Sequence, residues 1–305
     1  MRLSVPRWLL PAALLLAVGA AAGQALPDKE TDREGYQALI PALGALDRGD
    51  VKQAIDSLRP LAAEGTLEAQ YVLATILETA PPPHRDLEAA RQWYERAAEL
   101  GHAGAQNNLG ALYFDGRGVL RNPLEAAKWY RLAADQGHAV AQTNLALMYG
   151  MGLGVEQDLK TMADLLRQAA DSGEPRAQAQ LGRMYLDGEG VAQNPAEALK
   201  WFRAAAAQDN PGAAFFLAVM LQKGIGGPRD LEAATAWFRR SANGGNQLAM
   251  LELAKAYELG LGVAADPAQA KSWREQARAK SDPATQKPPD AATSDQRADP
   301  RRSRP

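Results

Sequence analysis

The amino-acid sequence predicts an all-α protein, an α-α solenoid of about six helix-turn-helix repeats preceded by an N-terminal half repeat. Three series of residues recur every 36 positions. Tryptophan recurs at Trp93, Trp129, Trp201, Trp237 and Trp273, with Leu165 at the position between Trp129 and Trp201. Alanine recurs at Ala69, Ala105, Ala141, Ala177, Ala213 and Ala249. Aspartate or asparagine recurs at Asp50, Asp86, Asn122, Asp158, Asn194, Asp230 and Asp266. A period held without insertion indicates stacked copies of one supersecondary unit.

The first helix of the unit is predicted from apolar residues at helical spacing. Ala105, Leu109 and Tyr113 lie at positions i, i+4 and i+8, so they share one helical face. Gly110, beside Leu109, would let a neighbouring helix approach closely. The pattern therefore predicts a helix whose apolar stripe packs against its neighbours.

The second helix is predicted from its capping residues. Asn122 is a good N-cap, Pro123 suits the first helical position, and Glu125 completes a capping-box pattern. Its apolar stripe consists of Ala126, Trp129, Tyr130 and Ala133. A glycine then ends the helix. These terminal glycines are Gly65, Gly101, Gly137, Gly173 and Gly245, with Asp209 in the same place in the fourth full repeat.

The loop between the two helices carries a Gly-x-Gly-Val motif, as in Gly116 to Val119. A phosphate-binding loop follows a strand and occurs once per domain, whereas this motif follows a helix and recurs in nearly every repeat. We interpret the first glycine as a left-handed helix stop and the second as a tight reversal, with the valine turned into the core. In the first full repeat, "TAPPPHR" (residues 79–85) replaces this loop.

The two ends of the chain predict segments outside the repeats. Arg2 and Arg7, an apolar run over residues 8–18 and the small residues after it predict a signal peptide, residues 1–25, cleaved after Ala25. A cut after Ala22 and an uncleaved membrane anchor are the alternatives, although the run is short and holds Pro11. We predict that residues 26–48 form a linker and a capping helix and that residues 49–280 form the solenoid. The proline-rich residues 281–305 are predicted to be a disordered tail.

Composition excludes several classes of function. The 305 residues carry a formal charge of -2, so there is no basic excess for nucleic-acid binding. The absence of cysteine excludes disulfides and zinc-thiolate sites. His102 and His138 occupy equivalent turns and are interpreted as turn residues, and His84 has no evident partner. We therefore expect no cofactor, no metal and no enzymatic activity.

The full repeat, Ala-x-x-x-Leu-Gly-x-x-Tyr-x-x-Gly-x-Gly-Val followed by Asp or Asn and Ala-x-x-Trp-Tyr-x-x-Ala-Ala-x-x-Gly, resembles the Sel1-like repeat family. That family is related to the tetratricopeptide repeats. The resemblance covers residues 67–280, with a half-matching unit before them. It implies a right-handed solenoid with a concave and a convex face, acting as a non-catalytic scaffold for protein interactions.

Transferring tetratricopeptide-like stacking places the first helix of each repeat on the concave face. The side chains expected to bind a partner there are Tyr71, Asn107, Phe114, Leu147, Met151, Arg183, Leu186, Phe215, Val219, Leu251 and Lys255. Many are apolar, which favours a protein or peptide as the partner. Packing inside a tight superhelix is the alternative explanation of these residues.

The expected function is thus an exported, monomeric scaffold or adaptor in envelope signalling, assembly or host interaction. A cell-envelope enzyme and a glycan-binding envelope module are the alternatives. The tryptophans are expected to be core residues, which weakens the glycan-binding interpretation. Export without cysteine fits a bacterial protein in the periplasm or secreted from the cell. No integral membrane segment is expected after signal cleavage.

Overall fold

A computed structural model describes the backbone of residues 30–281 and the side-chain burial of residues 37–280. The predicted signal peptide and the tail beyond Ser281 lie outside these residues. The described chain forms fourteen α-helices and no strand. They are α1 (Glu30–Asp47), α2 (Val51–Ala63), α3 (Leu67–Thr79), α4 (Leu87–Glu99), α5 (Ala103–Asp115), α6 (Pro123–Asp135), α7 (Ala139–Met151), α8 (Leu159–Asp171), α9 (Pro175–Asp187), α10 (Pro195–Ala207), α11 (Pro211–Lys223), α12 (Leu231–Asn243), α13 (Gln247–Leu259) and α14 (Pro267–Ser281).

The structure divides into two compact units, the first with α1 to α9 and the second with α10 to α14. Within each unit, every helix packs against the one that follows it. We call the odd-numbered helices α3 to α13 the A helices, because each begins a predicted repeat. The even-numbered helices α4 to α14 are the B helices, and α2 is the B helix of the half repeat.

The recurring Asp and Asn residues are N-caps of α2 and the B helices, as predicted. The side chain of Asn122 accepts a hydrogen bond from the N–H of Glu125 at 3.2 Å, and Asp86 accepts one from Ala89 at 3.0 Å. The Asn122 N–H donates to the carbonyl oxygen of Tyr113 at 2.8 Å. The return bond of a capping box is thus replaced by a bond that ties the B helix to its A helix.

The two glycines of the loop have the structural roles predicted for them. Gly116 is the C-cap of α5 with φ of 73°, in the left-handed region. Gly118 has φ of 67°, and a Cβ placed on it would lie 2.9 Å from the carbonyl oxygen of Leu87 on the preceding B helix. Glycine is therefore required twice, first to stop the helix and then to let consecutive repeats touch.

In the first five repeats, a large core side chain lies one position after the tryptophan, or after Leu165 in the third repeat. Tyr94, Leu166, Phe202 and Phe238 are all buried, as is Tyr130. Tyr94 packs in one cluster with Leu109 and Leu112 of the next repeat. The tryptophans themselves are half-buried, so their assignment as core residues needs correction. Trp93 and Trp129 pack against core clusters as partly buried residues, and a cationic side chain lies over the rings of Trp93, Trp201 and Trp237.

Close helix packing depends on small residues, as predicted for Gly110. A Cβ on this glycine would lie 2.9 Å from the ring of Tyr130 on α6. At the N-terminal end, α1 packs on α2 and α3 and buries Leu39, Ala42 and Ala45. At the other end, Arg274 occupies the position of the core aromatic and pairs with Glu258.

Candidate partner-binding surface

All eleven predicted site residues lie on A helices. In the first unit they are Tyr71 on α3, Asn107 and Phe114 on α5, Leu147 and Met151 on α7, and Arg183 and Leu186 on α9. In the second unit they are Phe215 and Val219 on α11, and Leu251 and Lys255 on α13. Partner binding by these side chains stays a prediction, and their accessibility differs from one position to the next.

In the first unit, Met151 is the most open apolar member of the set, with 55% of its surface exposed. Tyr71, Phe114, Leu147 and Leu186 are half-buried. Arg183 is exposed and lies 3.8 Å from the carboxylate of Asp187. This ion pair on α9 neutralises the charge of Arg183 within the helix.

Asn107 differs from the expectation, because only 8% of it is exposed. Its amide nitrogen donates to the side-chain oxygen of Asn108 at 3.0 Å, and its oxygen accepts from the amide of Asn144 on α7 at 3.1 Å. A polar residue can be buried when its hydrogen bonds are satisfied in this way. Asn107 therefore joins neighbouring repeats rather than contributing open surface.

The hydrogen-bond chain continues to a carboxylate. Asn108 donates to the hydroxyl oxygen of Tyr94 at 3.1 Å, and this hydroxyl donates to Glu78 at 2.8 Å. Arg117 closes the chain with an ion pair to Glu78 at 2.6 Å. Burial raises the pKa of Tyr94 well above its usual range, so the hydroxyl keeps its proton. Sequence reasoning missed this network, although the adjacent Asn107 and Asn108 on α5 were its visible signal.

Two histidines begin A helices. The Nδ1 atom of His102 accepts from the N–H of Ala105 at 3.0 Å, and His138 does the same for Ala141 at 3.2 Å. The ring of His102 stacks on that of Tyr71, with centroids 4.3 Å apart. Burial lowers the pKa of His102 to about 4 and that of His138 in the same direction. Both residues are thus neutral helix caps in the turns, which extends their interpretation as turn residues.

In the second unit, the A helices present two parallel series of side chains at i, i+4 and i+8. Phe215, Val219 and Lys223 form the first on α11, and Leu251, Lys255 and Leu259 form the second on α13. We call these six residues the α11–α13 stripe. Phe215 and Val219 are half-buried, whereas Leu251 is 45% exposed. The Phe215 ring lies 5.9 Å from Phe238, so part of it anchors in the core.

Aromatic rings on the B-helix side already have partners within the chain. Arg96 lies over the Trp93 ring at 4.6 Å, Arg240 over Trp237 at 4.7 Å, and Lys200 over Trp201 at 5.0 Å. These cations cover ring faces that a ligand would otherwise stack on.

Hydrogen bonds on the same side link successive repeats. Arg131 bonds the hydroxyl of Tyr149 at 2.5 Å, Arg167 that of Tyr185 at 2.9 Å, and Arg239 that of Tyr257 at 2.8 Å. The arginines recur every 36 residues, and so do the tyrosines except for Leu221. Each of these bonds joins a B helix to the A helix of the next repeat.

In the described part of the chain, no group of three or more His, Asp or Glu side chains is arranged to hold a metal ion. None of the helices between residues 30 and 281 is long and apolar enough to span a bilayer.

Comparison with known proteins identifies the family. The family model described as Sel1 repeat matches residues 67–102, 103–138, 139–174, 175–210, 211–246 and 247–282, more than half of the chain. The chain therefore belongs to the Sel1 repeat family, and its fold is the all-α solenoid of about six repeats that the sequence predicts. Sel1 repeat proteins are generally scaffolds for protein interactions and are typically non-catalytic.

Two solved structures resemble the chain over most of its length. A Sel1 repeat protein from Oxalobacter formigenes is 34% identical with a TM-score of 0.70, over 79% of this chain and 96% of its own. The protein c5321, described as a protective antigen present in uropathogenic Escherichia coli strains, is 30% identical with a TM-score of 0.70. That match covers 89% of this chain and 56% of c5321. None of the curated proteins matches the sequence.

Proposed function

We propose that the protein is an exported scaffold or adaptor that binds a protein or peptide partner through its A helices, in envelope signalling, assembly or host contact of a bacterium. It acts by binding and not by catalysis. The observation that carries this proposal is the exposure of large apolar side chains on A helices, including Met151 on α7 and Leu251 on α13. Exposed apolar residues of this kind are typical of interaction sites.

The B helices support the same choice. Trp93 and Trp237 are covered by the chain's own arginines, so they are poorly placed for stacking on sugars. On the A helices Arg121 lies over the Phe114 ring at 5.7 Å, but Met151 and Leu251 keep 55% and 45% of their surface exposed. The similarity to c5321, a protective antigen by its description, favours an exported protein, since an antigen that protects must be met outside the bacterial cytoplasm.

In-cell crosslinking tests this proposal. A photo-crosslinking amino acid would replace Phe215 on α11 in one variant and the exposed Arg203 on the B helix α10 in the other. We expect the first variant to form discrete adducts with one or a few envelope proteins, identified by mass spectrometry. Equal adducts from both positions, or adducts at Arg203 alone, would contradict binding through the A helices.

A further inference from the structure

The α11–α13 stripe carries two lysines, whereas the equivalent positions on the A helices of the first unit have no net positive charge. The described residues of the second unit carry eleven Lys and Arg against eight Asp and Glu, a net charge of +3. Those of the first unit carry fifteen against twenty-three, a net charge of -8. The two units therefore present opposite electrostatic environments to a partner.

The positive charge on the stripe is not neutralised by neighbours. Lys223 and Lys255 are exposed, and neither forms an ion pair with another described residue. Glu258, one turn after Lys255, pairs with Arg274, and Glu252, one turn before it, is half-buried. On α9 of the first unit, by contrast, Arg183 pairs with Asp187 on its own helix.

The lysines and the apolar residues share one face of their helices. Phe215, Val219 and Lys223 are four residues apart on α11, and Leu251, Lys255 and Leu259 repeat this spacing on α13. Residues four apart on a helix lie next to each other on its surface. In the first unit, equivalent A helices of neighbouring repeats touch directly, as Asn107 and Asn144 do across 3.1 Å. From the same 36-residue period we infer that α11 and α13 lie side by side, so that the two ammonium groups of the stripe flank its apolar side chains.

We propose that the α11–α13 stripe binds a peptide segment in which large apolar side chains are flanked by carboxylates. This inference rests on the proposed function and names its partner's chemistry. Burial of Phe215, Val219 and Leu251 supplies most of the affinity. Lys223 and Lys255 favour peptides that carry Asp or Glu beside the apolar side chains, and they repel peptides that carry Lys or Arg there. Because the lysines are exposed, added salt weakens the preference for carboxylates.

Selection from a random peptide library tests the proposal without a known partner. Phage-displayed 12-residue peptides would be selected against residues 26–305, and the composition of enriched peptides compared for three proteins. These are the natural chain, the double variant Lys223→Glu/Lys255→Glu, and the control Arg203→Glu, whose charge changes on a B helix. We expect the natural chain and the control to enrich peptides that combine Leu, Phe or Trp with Asp or Glu. An individual acidic peptide should bind the double variant roughly tenfold more weakly at low salt.

The outcomes separate this inference from the function on which it rests. The enriched peptides could be apolar with no bias in charge, and could bind the Phe215→Ala variant more weakly than the natural chain. That result would overturn the choice of an acidic partner but would leave the proposed binding surface in place. Enrichment of Lys- or Arg-rich peptides by the natural chain would overturn that choice as well. Peptides that bind the natural chain and Phe215→Ala/Leu251→Ala equally would contradict both the partner chemistry and the surface.

Discussion

Single side chains at the start of the A helices link stability to pH. His102 and His138 cap their helices through Nδ1, where equivalent repeats use Asn210 and Asn246. Only a neutral imidazole can accept this bond. Burial lowers the pKa of His102 from its ordinary value of 6.5 to about 4 in the folded chain. The histidine therefore stabilises the fold fully above pH 6.5, and this stability is lost as pH falls through 4.

The first prediction concerns His102→Asn, which installs the cap used in other repeats. The natural chain should lose on the order of 2–3 kcal/mol of stability between pH 7 and pH 4 through this residue. The variant should lose less, because asparagine does not titrate. Chemical denaturation at several pH values between 7 and 4 gives the unfolding free energy of each protein. If the unfolding free energies of both proteins fall equally with pH, the His102 cap does not link stability to pH.

The glycines of the repeat differ in what an added Cβ would meet. Gly118 and Gly137 both have positive φ, of 67° and 81°. A Cβ on Gly118 would lie 2.9 Å from the Leu87 carbonyl oxygen, whereas nothing lies within 4 Å of one on Gly137. We predict that Gly137→Ala lowers the free energy of unfolding by about 1 kcal/mol, because of backbone strain alone. Gly118→Ala should cost about 2–4 kcal/mol in urea unfolding, because two repeats must also separate. Equal losses would show that the loop does not hold the repeats together.

At the scale of the helix, the position after each tryptophan carries more of the packing than the tryptophan does. Phe202 is fully buried and stacks on Phe216 with centroids 5.1 Å apart, whereas Trp201 is half-buried. We predict that Phe202→Ala costs roughly 3–5 kcal/mol of unfolding free energy and Trp201→Ala roughly 2 kcal/mol. The midpoints of guanidinium unfolding compare the two variants directly. If Trp201→Ala lost more unfolding free energy than Phe202→Ala, the tryptophan would be the more important core residue.

The helices could be predicted from sequence because their signals are local. The N-caps at Asp86 and Asn122, the helix-ending Gly116 and the fixed period each act within one repeat, and all take the predicted form. Which of two adjacent apolar residues fills the core is not a local property. Trp201 and Phe202 both belong to the apolar stripe, and the angle at which the helices cross decides between them.

The candidate surface was only partly predictable for the same reason. The register of the A helices placed Met151 and Leu251 at accessible positions. Asn107 also had this register, but its amide meets Asn144 of the next repeat and is buried there. Such pairs depend on side chains 37 residues apart, which a pattern within one repeat does not contain. The charge of the stripe likewise could not be predicted from the sequence, because it depends on Lys223 and Lys255 forming no ion pair with the described residues around them.

At the scale of the whole molecule, export is the claim that a simple measurement can address. The predicted signal peptide, residues 1–25, lies outside the described part of the chain, so its sequence alone carries this expectation. Intact-mass analysis of protein from the periplasm or culture medium should give a mature chain starting near Leu26. Protein that keeps Met1 and fractionates with the cytosol would contradict the predicted processing.

The central claim is that the A helices bind a protein partner, and the affinity of two phenylalanine variants tests it most directly. Phe114→Ala and Phe215→Ala should each weaken binding to the crosslinked envelope partner by about 1–3 kcal/mol, if these rings are anchors. Their helicity and unfolding midpoints should stay close to those of the natural chain, unlike those of Phe202→Ala. Calorimetric titration with the purified partner gives the affinities. Normal affinity in both variants, or unfolding as severe as in Phe202→Ala, would contradict the claim.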